Sequence, residues 1–124
     1  MTPDEAIRAH REWKTHFLVA MTKQEQMNVA EITSDRCSPF GKWLHGHAKS
    51  RFGDLPSYQH CVEAHATFHL EAGEVAKRVN AGELHEANLM LGYGTPFAQA
   101  SETLTLGVMA MLKEDESIEL EKSG

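Results

Sequence analysis

Eight histidines in 124 residues are the chemistry to sort first. His65 and His69 lie four positions apart in the stretch CVEAHATFHLEAG. On an α-helix that spacing puts two side chains one turn apart on the same face. Two imidazoles so placed form a bidentate clamp for a metal ion. Zinc is the natural candidate, because it takes imidazole nitrogen and thiolate sulfur in a tetrahedron and fills all four positions with protein at structural sites. Thiols are available at Cys37 and Cys61.

The elements that must carry these residues read as helices throughout. Thr2-Pro3-Asp4-Glu5 is a helix start with an N-cap threonine, a first-position proline and a capping-box glutamate. It opens a helix expected over about 3–24. Breakers at Asn28, Thr33-Ser34-Asp35 and Pro39 mark 25–38 as a connection. A short helix is expected over about 40–48, a second connection over 51–56, and a long helix from Ser57 to about Asn80, stopped by Gly82. A short helix over about 83–91 follows. Thr95-Pro96 then starts a last long helix to about Lys113. Three long amphipathic helices with one or two short ones predict an all-α, antiparallel four-helix-bundle-like domain. Its expected extent is 1–113, with 114–124 an acidic, flexible tail.

A helix advances about 100° per residue, so faces can be assigned. His10 falls in the apolar stripe of Ala6, Trp13, Phe17 and Met21. His65 and His69 fall among Cys61, Phe68, Ala72 and Ala76. Phe97, Leu104, Val108 and Met111 share one face of the last helix. His16, His60 and His85 read as surface residues. His45 and His47, flanking the short helix, also read as solvent-facing, with an auxiliary metal role the minority alternative. Three imidazoles therefore point inward on two helices. One explanation is three separate core histidines, each hydrogen-bonded to a neighbour; a shared metal explains them together. Cys61, His65 and His69 would spread three ligands over about 12 Å of one helix, too far for one ion. Cys61 is therefore expected to pack as a small apolar residue, and Cys37, on the connection, is the better fourth ligand.

The blocks HREW (10–13), CSPFGKWLHG (37–46) and HATFH (65–69), in this order, resemble the chemoreceptor zinc-binding domain, and the resemblance runs from about residue 7 to about residue 112. It implies a regulatory site of three histidines and one cysteine, carried over as His10, Cys37, His65 and His69. It also implies tight Zn2+ binding, a homodimer, and a role in bacterial signalling of the chemotaxis or cyclic-di-GMP type, with zinc or oxidation of the cysteine as the trigger. The family pattern has two residues between the cysteine and the glycine; here Ser38, Pro39 and Phe40 intervene. Trp13, Gly41, Trp43 and Phe68 are expected to pack around the ligands, Gly41 by allowing a close approach or a helix start.

A site filled by four protein ligands has no open position for substrate, so no enzymatic activity is expected. Net charge −6 argues against nucleic acid as partner. No apolar run reaches the ~18 residues of a membrane span, and the N-terminus lacks a secretory pattern. A cytoplasmic protein is expected, acting in trans on a chemoreceptor or diguanylate cyclase. Two alternatives remain. One is a hemerythrin-like di-iron bundle, which would need bridging carboxylates. The other is a metal-free dimerisation bundle.

Overall fold

The structure is a computed structural model that describes residues 2–123. All regular structure among them is helical. In chain order the helices are α1 (Pro3–Arg11), α2 (Trp13–Lys23), α3 (Val29–Thr33), α4 (Pro39–His45), α5 (His47–Phe52), α6 (Pro56–Asn80), α7 (Leu84–Met90) and α8 (Pro96–Ser123). The fold is an all-α helical bundle.

The capping box at the first helix forms as expected. The Thr2 hydroxyl accepts from the Glu5 N–H at 3.2 Å, and the Glu5 carboxylate accepts from the Thr2 N–H at 3.0 Å. The helix expected over 3–24 is read as α1 and α2 divided at Glu12. Glu12 keeps helical dihedrals and donates to the Arg8 carbonyl, so the two run on almost as one. The left-handed Gln24 at φ 54° ends α2. The connection that follows holds a helix of its own, α3. Asn28, which reads as a breaker, is its N-cap, accepting from the Glu31 N–H at 3.0 Å. The short helix expected to end near Ala48 stops at Gly46, and α5 begins anew at His47. The last helix passes Lys113 and continues to Ser123, with Arg51 paired to Asp115 across from it at 3.1 Å.

The core forms where α6 meets α8 and the α1–α2 rod. Phe68, Ala72, Val75, Ala76, Phe17, Leu104, Val108 and Met111 are all fully buried. Two devices set the parts around the histidines. The Tyr58 hydroxyl donates to the Leu44 carbonyl at 2.9 Å, tying α4 to α6. Asn80, the last residue of α6, donates to the Met27 carbonyl at 2.8 Å and accepts from the Met27 N–H at 2.7 Å. That two-bond clamp fixes where the connection leaves for α3.

Candidate metal centre

His65 and His69 project from the middle of the 25-residue α6, and His10 projects from α1. All three are buried, at 0%, 1% and 2% exposure. One ligand atom from each lies within 4.8 Å of the others. Aromatic rings surround them. Phe40 stacks on His65 at 4.6 Å between centroids and meets His10 edge-on at 4.2 Å. Phe68 meets His10 at 4.6 Å, and Trp13 meets His69 at 6.0 Å. Trp43 backs Phe40 at 5.7 Å. Phe40 is the packing residue that sequence reasoning missed. The signal was available in its position: it follows a Ser-Pro helix start and opens the inward face of α4.

Burial in this apolar ring decides the protonation state. It pushes His10 down to about 3, with neighbouring His69 adding to the effect and the Ala6 backbone opposing it. It pushes His65 down to about 2, again with help from the other histidines. His69 is lowered as well, chiefly by burial. At neutral pH the cluster is three uncharged imidazoles, the form that offers a lone pair to a metal.

His69 has its tautomer set. Its Nδ1 lies 2.8 Å from the Ile32 carbonyl and donates to it, because a carbonyl only accepts. The lone pair is then on Nε2, which has no hydrogen-bond partner. Such an outer hydrogen bond orients a ligating histidine. The glycine at 73, one turn further along α6, lets α3 come close enough to supply that carbonyl. A Cβ there would sit 2.1 Å from the Thr33 hydroxyl oxygen and 3.2 Å from the Thr33 Cβ.

The buried nitrogens test the fit to a metal. Nδ1 and Nε2 of His10, Nδ1 and Nε2 of His65, and Nε2 of His69 all lack hydrogen-bond partners. A buried unpaired polar atom costs about 1–3 kcal/mol. His69 keeps one partner through Nδ1 and the Ala6 backbone lies close to His10, but the remaining unpaired nitrogens are ones a cation could take.

The two cysteines separate. Cys61 is fully buried on α6, with its Cα 3.6 Å from where a Cβ at Gly107 of α8 would stand. Burial raises its thiol to about 12, so it packs as an inert apolar residue. Cys37 is exposed on the connection and is not among the residues the structure gathers. Gly41 is buried beneath the preceding loop: a Cβ on it would fall 2.2 Å from the Asp35 carbonyl oxygen and 3.2 Å from the Arg36 Cα. The loop therefore rests on α4 through residues 35 and 36, and Ser38 caps the helix by accepting from the Gly41 N–H at 3.0 Å. Cys37 lies between these two fixed points. His16, His47, His60 and His85 are exposed, as read from the sequence. His45 is not: its side chain is only 18% exposed and faces Asp35. His45 is the last residue of α4, directly before the helix break at Gly46.

Fold and site together define a helical bundle with a buried cluster of three histidines that could hold a metal ion. The chain belongs to the chemoreceptor zinc-binding domain family, whose model matches residues 10–76, more than half of its length. That span holds His10, Cys37, His65 and His69. No curated protein and no solved structure matches the chain. No helix among the described residues is long and apolar enough to cross a membrane.

Proposed function

We propose that this protein is a zinc-responsive regulatory domain, not an enzyme, in which His10, His65 and His69 hold Zn2+ and Cys37 serves as the fourth ligand. The observation that carries the reading is the set of unpaired nitrogens on three neutral, buried imidazoles. Zinc supplies charge and a tetrahedral template there; the protein supplies a dry cradle and oriented lone pairs. One carboxylate, Asp35, comes within 4.8 Å of a cluster ligand atom, at His65, and no second one stands beside it among the described residues to bridge a pair of irons.

Cys37 stands on a connection, and the histidines stand on long helices. A loop ligand detaches at lower cost than a helical one. A peroxide that transfers one oxygen to the Cys37 thiolate, giving a sulfenic acid while the peroxide is reduced to water or an alcohol, would remove a donor and loosen the loop. The 25–38 connection and α4 are then the parts whose packing reports the state of the site. We take residues 1–113 as the zinc-binding unit and 114–124 as an acidic extension. Leu106 and Met109 of α8 are more than half exposed beside a groove of about 660 Å³ between α6 and α8. That supports a homodimer through this face, passing the signal to a chemotaxis or cyclic-di-GMP protein in the cytoplasm.

Metal analysis of protein purified without a histidine tag tests the reading. One zinc per chain is expected; iron or no metal refutes it. Cys37→Ser tests the switch: unchanged zinc affinity would remove Cys37 from the ligand set.

A further inference from the structure

We infer that Asp35, His45 and His65 form a second cation-accepting triad, sharing His65 with the buried cluster, through which a zinc-type divalent ion enters the site. The inference rests on the three-histidine reading above and adds a separate set of residues to it.

Ligand atoms from these three side chains also lie within 4.8 Å of one another. His65 belongs to both groups, and both of its ring nitrogens are without partners. His45 Nε2 is buried and likewise lacks a hydrogen bond, its nearest acidic oxygen, Asp35 Oδ2, being 3.6 Å away. That is too long for a hydrogen bond. It is close to the spacing between two ligands on a common zinc ion, about 3.3–3.6 Å for bonds of ~2.0–2.2 Å in a tetrahedron.

The arrangement is held from two sides. Gly41 seats the backbone of Asp35 on α4 by having no Cβ. His45 stands one turn further along that same helix, which Tyr58 ties to α6. Loop, helix and His65 therefore keep a common register.

The two triads differ in access. The Asp35 and His45 side chains are 29% and 18% exposed, whereas His10, His65 and His69 are at 2% or below. An ion arriving from water meets the carboxylate and His45 first. A mixed oxygen–nitrogen set with a formal negative charge attracts a divalent cation. His65, common to both triads, would pass the ion inward as Asp35 and His45 give way to His10 and His69.

The test separates the triads. In the full chain carrying His10→Gln and His69→Gln, the buried cluster is disabled and the outer triad is intact. That variant is expected to keep one weak zinc site, about 100-fold or more weaker than wild type. Adding Asp35→Asn or His45→Gln should weaken it roughly tenfold further. A folded variant without residual binding, or residual binding indifferent to Asp35→Asn, overturns the inference and leaves an ordinary Asp35–His45 pair. Should the variant not fold, stopped-flow capture of zinc by the chain carrying Asp35→Asn alone decides. Capture at least fivefold slower than wild type is expected from losing the outer carboxylate; an unchanged rate overturns the inference. A wild-type chain that binds no zinc refutes the three-histidine reading itself, and this inference with it.

Discussion

Helix α6 and the connection of residues 25–38 serve one site by opposite means. The helix delivers His65 and His69 by periodicity alone, and the rings of His10, Phe40, Phe68 and Trp13 pack around them. The connection packs on α6 through the short α3, with Ile32 in the core and Met27 and Val29 half-buried against it. It is fastened at separate points: Met27 to Asn80, the Ile32 carbonyl to His69, and Asp35 onto Gly41. Beyond those points it carries the exposed Cys37. On the proposed zinc reading, the helical half would hold affinity and the tethered half would adjust without unfolding the bundle.

Acid should break the comparison most completely, because it attacks the histidine half. Groups whose folded values lie far below their unfolded value of about 6.5 bind protons on unfolding. Metal-free stability is then full above that pH and falls as pH drops from about 6.5 toward 3. The slope is roughly 1.4 kcal/mol per pH unit for each histidine that titrates. Urea titrations at pH 7.5, 5.5 and 4.5 in the presence of a chelator check it; a stability independent of pH over that range would show the imidazoles to be accessible.

His65→Ala should be next, lowering zinc affinity by on the order of 100- to 1,000-fold with helicity retained, since one ligand of a structural site is removed. Competition with a chromophoric chelator reads it; a loss below tenfold would take His65 out of the site. Gly41→Ala moves to the other half. Its new methyl meets backbone, which cannot swing aside, so a loss of about 1–3 kcal/mol is expected by thermal melting. Asn80→Ala should cost least, about 1–2 kcal/mol for two partly buried hydrogen bonds. Hydrogen exchange should quicken at residues 27–33 and leave the centre of α6 unchanged. Equal acceleration in both would erase the distinction between the halves.

The same division explains what the sequence disclosed. Ala6, His10, Phe17, Phe68 and Met111 repeat at helical spacing, so their burial could be computed from faces. The helix starts at Thr2-Pro3 and Thr95-Pro96 carry caps that only one conformation satisfies. Asn28 was ambiguous, because a side chain that stops one helix also starts another, and α3 is too short for periodicity to announce it. Asp35 and His45 were hidden for a different reason. Their juxtaposition depends on the close contact of Gly41 with the Asp35 backbone, which leaves no periodic trace. Cys37 was picked by elimination and resemblance, and its exposure follows from a register that only the packing of Gly41 under residues 35 and 36 displays.

The hydrogen bond from His69 to the Ile32 carbonyl has a consequence in linkage. If a metal on Nε2 strengthens the bond that Nδ1 donates, metal binding holds α3 against α6 by some factor. Reciprocity then requires that anything pulling α3 away loosens the metal by the same factor. A partner that grips α3 would thus set the zinc threshold of the protein without touching a single ligand.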